Sequence, residues 1–353
     1  MKTIGNMNEE KGRFRSIWVA ATIGAVFATG SAFAIDGAFE IRMVTLAPIG
    51  TSPHVELLKT GSRWQKASGG KVKLNVIASY RAGGEAAIVD KMLVGGVDGA
   101  LLTLMGLSKI DPGVTALSDI PMAFHTLEEL DYIQERLGVD LARRLEQKGY
   151  VVLFWTDIGW CRFFSVQPLV HPDDMKRMKV FVWVGHPEQA RIMKDWGTKP
   201  VPLEPADILP GLSTGMINVV LATPFSANVG QYATVAKHMI EINWAPLVGA
   251  AVIRKHVWDR VPADCRQELL TIAAGTGQTI KALGRKESEE AVEAMKRKQE
   301  LKVYVPSSQV NGEWRQVARS AYPRIRGTMV PTDIFNKVEE CLKEYRANRG
   351  EEK

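Results

Sequence analysis

Cysteine is scarce. Cys161, Cys265 and Cys341 are the only three in 353 residues, widely spaced and without a C-x-x-C pair. Such a set offers no metal-ligand or thiol redox motif and reads as three buried apolar side chains. The six histidines, His54, His125, His171, His186, His238 and His256, also lack close metal-ligand spacing, and neither H-E-x-x-H nor a phosphate-cradling G-x-x-x-x-G-K occurs. No cofactor or metal site is expected. A predominance of one charge is missing too: 45 basic and 39 acidic residues are interspersed, so no stripe for nucleic acid forms. Long apolar runs are limited to one, Ile17 to Ser31, which at about 15 residues falls short of the roughly 20 that span a bilayer.

That run has a purpose. Lys2, Lys11, Arg13 and Arg15 precede it and Ala32-Phe33-Ala34 follows, the order of a secretory signal peptide cleaved after Ala34. Ile35 and Asp36 stand where a lipoprotein would carry a cysteine, so a freely diffusing periplasmic protein is expected. About 320 residues remain, more than one hydrophobic core usually organises, which predicts two lobes.

Apolar periodicity fills in the elements. Phe39 to Leu46 predicts a strand, Pro53 to Ala67 a helix, and Lys71 to Ile77 a second strand, with Val72, Leu74 and Val76 alternating with polar residues. Glu85 to Leu93 returns as a helix and Ala100 to Leu104 as a strand, completing a β-α-β-α-β order that implies a mostly parallel sheet. Open sheets of this kind hold ligands beyond the carboxyl ends of their strands, which places Tyr80 and Thr103 near a site. Tyr150 to Trp155, Phe163 to Val166, Lys179 to Trp183 and Ile217 to Ala222 predict further strands, with a helix from Glu188. The charge-laced run from Pro262 to Glu300 predicts one helix roughly 55 Å long, enough to span both lobes. A last helix from Asp333 aligns Ile334, Val338, Cys341, Leu342 and Tyr345 on one face.

Ser68-Gly69-Gly70-Lys71-Val72, Gly83-Gly84-Glu85, Gly95 to Asp98 and Ile120-Pro121-Met122-Ala123-Phe124 follow one another as landmarks do in DctP-type solute receptors of tripartite ATP-independent periplasmic (TRAP) transporters. The chain resembles that family from about Phe39 to Arg346. The resemblance implies an α/β fold of the two-lobed, type II-like periplasmic binding class, with mixed sheets flanked by helices, and a monomer that hands a small solute to a TRAP-type membrane permease. Residues 35–158 with about 248–285 are expected to form one lobe, 159–247 with about 286–345 the other, and 346–353 a polar tail.

Two arginines usually grip a carboxylate in this family. Gly159-Trp160-Cys161-Arg162 supplies one as Arg162, but the second, from a strand of the form K-[IVLM]-R-V, is replaced in Lys179-Val180-Phe181-Val182-Trp183 by Phe181. The chain resembles instead a subgroup with K-x-[WF]-V-W followed by a G-[DH]-P turn, here Gly185-His186-Pro187. The expectation is therefore an apolar, aromatic or monocarboxylate solute. Arg162 would meet its polar end while Phe181, Trp183, Phe225 and Trp244 enclose its body, with Thr223 and Asn228 after the following strand.

Two other readings use the same residues. Gly211-Leu212-Ser213-Thr214-Gly215 matches the G-x-S-x-G of serine esterases, but that motif needs a strand before the serine and a helix after it, the reverse of the order predicted here. A ligand-binding subunit of a sensory system would share the cleft and differ in its partner. No catalytic residue is expected.

Overall fold

A computed structural model describes residues 37–78 and 83–350; the expected signal peptide and Tyr80 lie outside the described residues. Nine strands form one mixed sheet in the order β2-β1-β3-β8-β4-β7-β5-β6, with β9 on the free side of β8. In the first half, β1 (Phe39–Thr45) lies parallel to β2 (Val72–Ala78) and β3 (Gly99–Thr103), as the β-α-β-α-β order predicts. In the second half, β5 (Lys179–Trp183) lies parallel to β6 (Lys199–Leu203) and to β7 (Val219–Ala222), while β9 (Lys302–Tyr304) joins β8.

Two long strands join the halves. β4 (Tyr150–Ser165) and β8 (His238–Arg254) run antiparallel to each other along most of their length. The carboxyl end of β8 pairs with β3 and the carboxyl end of β4 pairs with β7, so each strand serves both halves. Sequence reading divides β4 into two strands at Gly159. The chain instead continues through it with the glycine at φ +86° and the pairing register shifting between Asp157 and Trp160. The bend thus lies within a strand.

The long helix Ala263–Gln299 crosses the same junction. Its first turns meet the helix Ser52–Ala67, where the Trp64 indole Nε1 donates to the Leu269 carbonyl at 3.0 Å. Its last turns place Ala291, Val292 and Met295 in a core with Phe181 and Ile208. Midway, a Cβ on Gly277 would lie 2.7 Å from the Phe154 ring, so the missing side chain lets the helix approach β4. Beside it, Arg285 donates to both Asp157 (2.8 and 2.9 Å) and Asp131 (2.7 and 2.9 Å), and Lys281 reaches Asp131 at 2.8 Å.

Each half has a core on either face of its part of the sheet. The last helix, Thr332–Arg349, buries Ile334, Val338, Cys341 and Leu342 as expected. It does so against the first half, beside the helix Leu127–Gln147, rather than with residues of the second. It also continues through the segment expected as a polar tail, and Arg346 forks onto Glu129 at 2.7 and 2.8 Å. All three cysteines are buried and free.

Candidate functional site

Between the halves lies a cleft of about 340 Å³, roofed and floored by strand ends from both. From the second half come Phe181 and Trp183, two residues apart on β5 and therefore on one face; their rings meet edge-on at 5.7 Å. Trp244 of β8 forms the back, its ring edge-on to Trp196 at 5.5 Å. Phe225 and Thr223 follow β7, and Thr103 ends β3. Six of the expected residues thus converge.

The threonines arrive with their hydroxyls engaged. The Thr223 hydroxyl caps the short helix Pro224–Val229, accepting from the Ser226 backbone N–H at 3.1 Å and donating to the Ser226 Oγ at 2.9 Å. The Thr103 hydroxyl donates to Glu85 at 2.7 Å and accepts from the Met105 N–H. Glu85 also accepts from the Thr103 and Gly106 N–H groups, both at 2.8 Å. Burial pushes its carboxyl pKa up, against those bonds.

Arg162 and Asn228 do not line the cleft. The cleft-facing side chain of that part of β4 is Cys161, one residue earlier, and strand alternation carries Arg162 to other surroundings. There its Nη1 lies 3.3 Å from Glu241. Asp157, the acid earlier on β4, is paired with Arg285 and not with Arg162.

Sequence reading also passes over residues that do line the cleft. Gln189, Ile192, Met193 and Trp196 stand at i, i+3, i+4 and i+7 in and just after the helix Pro187–Asp195, so one helical face walls the cleft. That periodicity was available to find them. Gln189 further accepts from the Trp183 N–H at 3.2 Å, tying this wall to β5.

Among the described residues, the ionisable groups lining the cleft are carboxyls, apart from the Cys161 thiol and the Tyr232 phenol: Glu85, Asp119, Asp157 and Glu204, with no Lys, Arg or His. Glu85 and Asp157 are held by the contacts above. Glu204 sits against Gly84, at the start of the helix Gly84–Leu93 in the other half, filling the space a Cβ would need. Its carboxyl is pushed up by burial and by Asp207. Asp119 has no side-chain partner among the described residues, and burial alone pushes its carboxyl to about 7. Cys161 is equally unreactive, its thiol pushed up to about 12 by burial.

Catalytic chemistry finds no footing. Ser213 ends the helix Ile208–Ser213 and its hydroxyl donates back to the Leu209 carbonyl at 2.9 Å; β7 comes after it, the reverse of a nucleophile elbow. Among the described residues no group of His, Cys, Asp and Glu is placed to hold a metal ion, and no helix is long and apolar enough to cross a membrane.

Two halves joined by shared strands around an interior cleft define a solute-binding receptor fold. The chain belongs to the bacterial extracellular solute-binding proteins of family 7, DctP, whose family model matches residues 43–327. It is 26% identical over 200 residues to the C4-dicarboxylate-binding periplasmic protein DctP of Rhodobacter capsulatus, a match spanning 56% of this chain and 60% of that one. It is 25% identical over 254 residues to the 2,3-diketo-L-gulonate-binding periplasmic protein YiaO of Escherichia coli, covering 69% and 75% of the two chains. A TRAP periplasmic solute binding protein from Shewanella oneidensis, solved with bound succinate, shares the fold with a TM-score of 0.80 at 18% identity, covering 86% of this chain and 99% of that one.

Proposed function

We propose that this chain is a monomeric periplasmic receptor that captures a small, largely apolar or aromatic solute with at most one acidic group and delivers it to a TRAP-type membrane permease. The supporting observation is the charge of the cleft: four carboxyls and no cation among the described lining residues. Phe181 stands where the family resemblance expects an arginine. An Arg–carboxylate hydrogen bond contributes roughly 1.5–3 kcal/mol, and its loss also leaves a buried carboxylate with a desolvation cost of several kcal/mol. One enclosed aromatic ring removes about 150–250 Å² from water, which at about 25 cal/mol per Å² stabilises the complex by at most roughly 4–6 kcal/mol. The aromatic wall therefore favours a solute body without charge.

In this reading Phe181, Trp183, Phe225 and Trp244 enclose the solute, and Thr103 and Thr223 set its polar edges. The lobes are residues 35–158 with about 248–285 and the last helix, and 159–247 with about 286–331, and they close about the bend in β4 after export and cleavage behind Ala34. Closure adds affinity only through contacts made in the closed state.

A thermal-shift screen of the mature protein tests this, since a ligand of the folded state stabilises it by RT ln(1 + [L]/Kd) and so raises the melting temperature. Neutral aromatics and aromatic monocarboxylates such as benzoate are expected to raise it, and succinate and glucuronate are not. A dicarboxylate that binds in a manner lost in Trp183→Ala overturns the proposal.

A further inference from the structure

Behind the cleft is a second pocket, of about 310 Å³, with no lining residue in common with the first. The two share strands rather than residues. Cys161 of β4 and Trp244 of β8 line the cleft, and their immediate neighbours Arg162 and Asn243 line the second pocket. Asn311 and Arg315, from the helix Ser308–Ser320, and His125 complete its polar wall together with Glu241.

Its donors are largely unspent. Arg162 keeps only 15% of its side chain exposed, makes a single ion pair to Glu241 at 3.3 Å, and has a buried Nε with no partner. A guanidinium offers five N–H donors, so leaving them unmet in such a place is costly. Arg315 has no ion pair among the described residues, and neither Asn243 nor Asn311 has a side-chain hydrogen bond. The nearby acid Glu129 is already neutralised by Arg346. Among the residues that line the pocket, Arg162 and Arg315 against Glu241 leave one positive charge in excess, while Glu289, outside the lining, is the further acid that acts on Arg162.

The geometry points to a binding site for a small oxyanion, a carboxylate or phosphate, held between Arg162 and Arg315 with Asn243 and Asn311 donating from the sides. One negative charge would balance the pocket, and two guanidinium groups with two amides match the acceptors of such an anion. The site is independent of the solute in the cleft.

The test is titration calorimetry on the mature protein with inorganic phosphate in one arm and acetate and succinate in another, at constant ionic strength. At least one arm is expected to saturate at one site per chain. Arg315→Gln, an exposed change that leaves the core intact, should weaken it about tenfold or more, Arg162→Gln likewise, and Trp183→Ala should leave it unchanged. The arm that saturates identifies phosphate or carboxylate as the anion. Absence of saturation in every arm overturns the proposal, as does binding that survives Arg315→Gln or disappears in Trp183→Ala. The last result would place the anion in the cleft and count against the apolar solute as well, whereas the others leave that reading standing.

Discussion

Phe181 belongs to core and cleft at once: it is 4% exposed, packed with Ile208 and Leu212, and edge-on to Trp183. Phe181→Ala is expected to cost about 3–5 kcal/mol of stability, read from denaturant unfolding. Trp183 is only partly buried. Its change to alanine should cost clearly less stability while abolishing the thermal shift given by an aromatic solute. Asp119 gives a different signal. Its folded-state pKa of about 7 lies above the ordinary value near 4 of an unfolded chain, so the folded protein holds that proton over the interval between them. Its contribution to stability therefore falls as pH rises from about 4 to 7 and is flat beyond, with a slope of at most about 1.4 kcal/mol per unit. Asp119→Asn should melt progressively higher than the parent across that interval, by thermal denaturation at stepped pH.

At the level of elements, the long helix is fitted to β4 by what it lacks. An alanine in a helix interior is ordinarily worth about 1 kcal/mol over glycine. At Gly277 the Phe154 ring occupies the space, so Gly277→Ala is expected to lower stability by about 1–3 kcal/mol, as measured by urea unfolding. The helix itself was legible, since its charge-laced pattern runs unbroken to Glu300, whose left-handed backbone (φ +57°) ends it. β2 was legible from the alternation of Val72, Leu74 and Val76 with polar residues, and β3 from its short apolar run. The second half of β8 was not, because both its faces are covered and its apolar run, broken by Pro246 and Gly249, shows no period of two, whereas Ile240, Ile242 and Trp244 alternate with Glu241 and Asn243, a signal the sequence reading passes over. The place of Arg162 was hidden for a related reason. Register shifts on either side of Trp160 and Cys161 reset which residues of β4 face the cleft, and nothing in the residue types announces such a shift. The helix Leu127–Gln147 escapes notice in the sequence although Thr126 caps it through the Glu129 N–H at 3.2 Å.

Across the whole molecule, the cluster of Asp157, Arg285, Lys281 and Asp131 binds the strand crossing to the helix that bridges it. The Asp157 side chain is fully buried, and the two carboxylates hold the Arg285 guanidinium well above its usual range. Removing Asp157 leaves Arg285 and Lys281 to share Asp131, with one positive charge in excess at the crossing. Asp157→Ala should therefore cost about 3–5 kcal/mol, seen as a lower denaturation midpoint. Because the cluster sits at the bend in β4, the same variant is expected to alter the shape of the apo protein in small-angle X-ray scattering.

A strand that both crosses between the halves and walls the cleft has a further consequence. Cys161 and Arg162 are consecutive, and what sets a thiol rather than a guanidinium on the cleft wall is the parity of β4 between Gly159 and its pairing with β7. Loss of a single residue from that stretch would exchange the two linings and turn a greasy chamber into one with a cation at its centre. Change of diet in such a receptor need not await new side chains, only a slip of one step along an existing strand.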